Sequence, residues 1–289
     1  MSALLAITRA IHLASLMAIF GTSAFAALLQ RAGLWEARPR SNRALGMAAF
    51  VALVTAIVWF CLIACQMSGS SQGSIDPAVL RLAATDTRFG QIFVGRTNGL
   101  AALSLLCALE TRSQSFAVAV LAGLLLASLA PVSHAAAGGD NVLTMGAVSD
   151  GVHLLAGGFW LGGLVVLASL VARYRSRAAE LVGPLGVFSS WGGFVVALLV
   201  LTGVTNLLLI MPLSAMSLHN FYFDLLLTKI GLAAAMVALA ALNRWRFAPA
   251  LAGRGAKAVR YLAYSIGVET AFAFTVVGIV GYLGTIAPH

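Results

Sequence analysis

Eight long apolar stretches alternate with short polar connectors along this chain of 289 residues. They run over about 3–29, 44–67, 90–109, 115–137, 146–172, 185–211, 221–243 and 261–286. A helix rises about 1.5 Å per residue, so about 20 predominantly apolar residues cross the ~30 Å hydrocarbon core of a bilayer. Each stretch is long enough to do so. The third is the least apolar, because Arg96, Thr97 and Asn98 fall in its first half. The pattern predicts an all-α fold, a polytopic integral membrane helical bundle of eight transmembrane helices forming one transmembrane domain over 1–289.

Composition agrees. Hydrophobic residues make up 61% of the chain and charged residues only 9%, against roughly 25% charged in a soluble domain. So few charges cannot cover a water-soluble surface, so lipid must be the solvent. The net charge of +9 would suit nucleic acid, but the basic residues lie in connectors, where they set topology and meet anionic headgroups. The odd connectors hold Arg31, Arg38, Arg40 and Arg43, then Arg112, then Arg173, Arg175 and Arg177, then Arg244, Arg246, Arg254, Lys257 and Arg260. The second connector balances Arg81 and Arg88 against Asp76 and Asp86, and the fourth and sixth lack Lys and Arg. The positive-inside rule places the odd connectors in the cytoplasm and both termini outside, N-out and C-out. Ser23-Ala24-Phe25-Ala26 loosely resembles a signal-peptidase site, but no cationic segment precedes it, and Arg9 and His12 interrupt the apolar run. The stretch reads as a retained first helix. The outer connector over about 68–89 is rich in Ser and Gly and reads as a lid.

Ionisable groups in the hydrocarbon cost roughly 2.5–3.5 kcal/mol each on insertion scales, which makes them candidates for function. With the orientation above, Arg9, His12, Arg96, Asn98, His134, Asp150, His153, Asn206, Asp224 and Lys229 all fall in the outer half. Glu269 is the main exception. This predicts a polar chamber open to the outer side above a drier inner half. Imidazole suits copper, zinc, iron and nickel, and soft sulfur selects cuprous copper. His12, His134 and His153, with Cys61, Cys65 and Met67 at the end of the second stretch, therefore point to copper. Plainer readings stand beside this one. Cys61 and Cys65 also suit small buried hydrophobes. Arg9, Arg96, Asp150, Asp224 and Lys229 would also neutralise one another inside a bundle. Trp160 reads as a packing anchor, and Gly157, Gly158, Gly162, Gly163, Gly192 and Gly193 read as close-packing positions.

The stretch Ser133-His134-Ala135-Ala136, followed after a short loop by Asp150-Gly151-Val152-His153 and Trp160-Leu161-Gly162-Gly163, resembles the CopD-type copper-resistance membrane proteins. Their pattern there is a Gly-His-Ala helix end, then Asp-x-x-His and Trp-x-Gly-Gly. Thr202-Gly203-x-x-Asn206, Tyr222, Leu226-Leu227-Thr228-Lys229, Asn243-Arg244 and Glu269 follow in order, and Arg9-x-x-His12 with Gly21 and Phe25 is similar to the family's opening helix. Ser133 departs from the usual Gly and leaves the imidazole of His134 in place. The resemblance implies copper handling at the bacterial inner membrane, moving the ion from periplasm to cytoplasm. It also implies a periplasmic copper-binding partner of the CopC type, since no such domain is fused here.

On that reading His12, His134 and His153 hold copper, with or without Cys61, Cys65 or Met67. Asp150 orients His153, and Lys229 and Glu269 act as gating or structural charges beside Arg9, Arg96, Asn206 and Asp224. A rival is a membrane b-type cytochrome with haem b between two of these histidines; a two-haem path would need histidines in the inner half as well, where there are none. A third reading is a factor delivering copper to an oxidase. No nucleophile–base pair, phosphate-cradling loop or zinc-protease motif is present, so no enzymatic activity is expected.

Overall fold

The computed structural model describes residues 2–35, 39–67, 77–109, 114–132, 144–210 and 221–286. They form helices α1 (Ser2–Arg31), α2 (Pro39–Met67), α3 (Pro77–Asp86), α4 (Arg88–Ala108), α5 (Gln114–Ala127), α6 (Met145–Arg173), α7 (Ala179–Ile210), α8 (Phe221–Leu242) and α9 (Ala248–Leu283). A 3₁₀ turn at Ala130–Val132 follows α5, and a π turn at Asn243–Phe247 links α8 to α9. No strand occurs among the described residues.

Six segments are long and apolar enough to cross a membrane: Ser2–Arg31, Arg43–Met67, Met145–Arg173, Ala179–Ile210, Phe221–Leu251 and Ala256–Leu283. The two remaining stretches differ for visible reasons. The 21 residues of α4 would rise about 31 Å, but Arg96, Thr97 and Asn98 lower its hydropathy. In the fourth stretch, expected over 115–137, the described residues are α-helical through Ala127. Pro131 disfavours helical backbone at the residue before it and has no N–H to donate, and the chain there tightens to the 3₁₀ turn.

The first helix is the hub of the bundle, packing against α2, α5, α6 and α9. Leu16, Ile19, Phe25 and Leu29 are fully buried along it. Its closest neighbour is α6, and glycines allow the approach. A Cβ on Gly21 would lie 1.9 Å from the Gly158 carbonyl oxygen, and one on Gly162 would lie 2.2 Å from the Thr22 nitrogen. Gly163 makes room for Phe188 and Gly157 for Met17. The close-packing expectation holds for these positions and not for Gly192 and Gly193, where nothing lies within 4 Å. Leu201, Val204 and Leu208 on α7, together with Leu227 and Ile230 on α8, are exposed, as suits residues facing acyl chains.

Two connectors hold more helix than expected. Within the outer connector α3 packs on α4, and Thr87 forms the corner between them. Its hydroxyl donates to the Ala83 carbonyl at 2.5 Å, and its oxygen accepts the Gly90 N–H at 2.9 Å, capping α4. The connector after α8 is helical as well, yet the chain reverses there. Phe247 and Tyr261 stack with ring centroids 6.1 Å apart, where 14 residues of straight helix would separate them by about 21 Å.

Candidate functional site

A cavity of about 170 Å³ opens among α1, α2, α6, α7, α8 and α9, lined by Arg9, Trp59, Asp150, His153, Asn206, Tyr222 and Lys229 together with apolar side chains. Three helices supply its charged groups and its histidine: α1 gives Arg9, α6 gives Asp150 and His153 one turn apart, and α8 gives Lys229. Of the polar residues expected to share one chamber, Arg9, Asp150, His153, Asn206 and Lys229 line this cavity, and His12, Arg96 and Asp224 do not.

On the α6–α7 wall the hydrogen bonds fix the imidazole of His153. The Thr202 hydroxyl donates to the Leu198 carbonyl at 2.5 Å. Its oxygen is thereby left to accept from His153 Nδ1, 2.9 Å away. The proton is therefore on Nδ1 and the lone pair on Nε2. Gly203 sits against the same ring, where a Cβ would lie 3.5 Å from Cε1. Asp150, expected to orient His153, instead accepts from Asn206 Nδ2 at 3.4 Å. Lys229 is within electrostatic reach of both Asp150 and His153. Thr202-Gly203-x-x-Asn206 thus works as one unit: Thr202 sets the tautomer, Gly203 makes room, and Asn206 holds the carboxylate.

His12 is placed differently. It is fully buried, and both ring nitrogens are engaged. Nδ1 lies 2.9 Å from the Ala52 carbonyl and 3.2 Å from the Thr55 hydroxyl. A carbonyl only accepts, so Nδ1 carries the proton. Nε2 then accepts from the Arg96 guanidinium at 2.8 Å. Arg96 also donates to the Leu125 carbonyl at 2.5 Å and to the Ser128 hydroxyl. One guanidinium thereby ties α1, α4 and the end of α5 together. Trp59 connects this cluster to the cavity: His12 meets the edge of its ring at 5.7 Å, and Arg9 stacks over its face at 4.6 Å.

A second buried polar cluster lies on α6, α9 and the π turn. Glu269 is fully buried; its carboxylate accepts from Trp160 Nε1 at 2.8 Å and from Asn243 Nδ2 at 3.1 Å. Trp160 is thus a hydrogen-bond donor as well as a packing anchor.

The remaining expected site residues lie apart. Cys61 is half-buried and Cys65 is buried, and neither is in a disulfide; neither lines the cavity. Met67 and Asp224 are exposed. His134 falls outside the described residues. Among the described residues no three His, Cys, Asp or Glu side chains are gathered closely enough to hold a metal ion. Trp59 and Ser128 were not singled out from the sequence, because each depends on which face of its helix turns inward.

The chain matches the family model described as copper resistance protein D-like, N-terminal domain, over residues 1–142. It matches the model described as copper resistance protein D over residues 183–283. Copper resistance protein D of Pseudomonas syringae pv. tomato is 29% identical over 296 residues, covering 95% of this chain and 93% of that protein. Inner membrane protein YebZ of Escherichia coli (strain K12) is 27% identical over 287 residues, covering 97% of each. No solved structure matches the chain. Six long apolar helices and these relatives make it a multi-pass protein of the inner membrane. With family models matching residues 1–142 and 183–283 and a relative of that name aligned over nearly the whole length, the chain belongs to the copper resistance protein D family of copper-handling membrane proteins.

Proposed function

We propose that the protein takes copper ions from the outer side of the inner membrane into the cavity between α1, α6 and α8 and passes them inward. The observation that carries this reading is the Nε2 lone pair of His153, with the Nδ1 proton fixed by Thr202. A neutral imidazole held by a hydrogen bond at its other nitrogen is the form that binds copper. In this reading His134 supplies a second ligand from the segment after α5, and a periplasmic copper-binding protein of the CopC type delivers the ion. His12 holds Arg96 and Trp59 in position, while Cys61, Cys65 and Met67 are accessory at most. The helices α4 and α5 complete eight spans, and the basic residues beyond α1, α6 and α8 set both termini outside. The protein moves or holds the ion and catalyses no reaction. No observation favours haem: His12 Nε2, which would have to face an iron, is already taken by Arg96.

The test is copper content of purified protein and copper accumulation in cells making wild type, His153→Ala or Thr202→Val. His153→Ala is expected to abolish binding. Thr202→Val, which leaves Nδ1 without its acceptor, is expected to weaken binding about 10–100-fold. Unchanged binding in His153→Ala refutes the site, and a Soret band in the wild type would replace copper with haem.

A further inference from the structure

In the cavity that would receive a copper cation, basic side chains outnumber carboxylates among the described lining residues: Arg9 and Lys229 against Asp150. That carboxylate is shared between Asn206 and Lys229. Arg9 has no hydrogen bond or ion pair to any described residue and only stacks on the Trp59 ring at 4.6 Å. Its Nε is buried without a partner. A guanidinium has five donors and no acceptor, and leaving it unpaired in a low-dielectric interior is costly. A second donor lies beside it: Trp59 is 4% exposed, lines the cavity, and its indole N–H is buried without a partner. The backbone has also been cleared for Arg9. A Cβ on Gly284 would fall 1.9 Å from Arg9 Nη2 and 2.4 Å from Cζ, so only glycine lets the guanidinium lie where it does.

We propose that the cavity binds a small singly charged anion, a halide or a carboxylate, held by the Arg9 guanidinium with the Trp59 indole N–H. The anion offsets these basic side chains and satisfies the unused donors at once. A volume of about 170 Å³ admits chloride or acetate with an ion beside it. It follows that copper enters this cavity together with an anion rather than as a bare cation. That last step rests on the copper reading; the anion site does not.

The experiment uses purified full-length protein freed of copper by a chelator. Thermal unfolding is followed while chloride or acetate replaces HEPES, a bulky sulfonate, at constant ionic strength. Saturable stabilisation by chloride, by acetate or by both supports the site and assigns the anion class, since stabilisation of the folded state reports binding. Arg9→Gln is expected to raise the half-saturating concentration about tenfold or more, the worth of a hydrogen bond to a charged group. If that variant fails to fold, Gly284→Ala keeps the charge but displaces the guanidinium and should weaken binding in the same direction. Equal response to all three anions, or a wild-type response retained in both variants, overturns the proposal. Because copper is absent, failure of the copper site leaves this result intact. In the same variants, chloride-dependent copper binding that is lost with Arg9 would tie the two together.

Discussion

Replacing Gly21 with alanine puts a methyl group into the close crossing of α1 and α6. The new Cβ would lie 1.9 Å from the Gly158 carbonyl oxygen and 2.9 Å from the Gly162 Cα. A carbon and a carbonyl oxygen approach no closer than about 3.3 Å even in favourable C–H···O contacts, so the shortfall is about 1.4 Å. Both atoms it meets are backbone, and no rotamer change relieves the clash. Helices α1 and α6 must separate, and α1 cannot shift freely because α2, α5 and α9 pack on its other faces. Overpacking of this kind costs about 1–3 kcal/mol, and the upper end applies where only whole helices can give way. By the usual scaling for chains of this size, the midpoint of thermal unfolding should fall on the order of 5–10 °C. The assay is loss of helical circular dichroism on heating in detergent, with Gly192→Ala as the matched control. Nothing lies within 4 Å of a Cβ at Gly192, and that variant should melt at or slightly above wild type, since alanine favours helix over glycine. If Gly21→Ala melts together with Gly192→Ala, the claim that these glycines set the α1–α6 distance is wrong.

Two further outcomes follow. Trp160→Phe removes an N–H from the buried Glu269 carboxylate and should destabilise the protein by about 1.5–3 kcal/mol; adding Glu269→Gln should recover part of that loss in a double-mutant cycle, and strict additivity would show that the contact contributes nothing. In a background lacking the three native cysteines, a cysteine at Arg175 should react with a membrane-impermeant maleimide only after permeabilisation and one at Thr285 without it; the reverse pattern would invert the proposed topology.

Much of the architecture was legible because the membrane simplifies the code. Apolar length alone located the six long spans, and the polar residues assigned to the outer half, Arg9, Asp150, His153, Asn206 and Lys229, do line one cavity. Depth is readable from sequence because rise per residue is constant. Rotation about the helix axis is not, and that is where the reading departed from the structure. His12 and His153 share a depth, yet one faces Arg96 while the other faces Thr202. Cys61 and Cys65 share a helix face that turns away from the cavity. The partnership of Trp160 with Glu269 spans 109 residues and needed the packing of α6 on α9. Helix α3 went unseen because its ten residues are short and only modestly apolar, and the Ser- and Gly-rich run before it pointed to an irregular loop.

The eighth helix supplies Tyr222, Leu226 and Lys229 to the cavity, yet it packs chiefly on α9 and the π turn that joins them. One side of the chamber is therefore held in place mainly by its neighbours in sequence and not by the hub helix α1. The electrostatic reach of Lys229 toward Asp150 on α6 links that side to the rest of the chamber. Without that charge pair, the α8 side would be joined to the bundle almost wholly through α9 and the π turn.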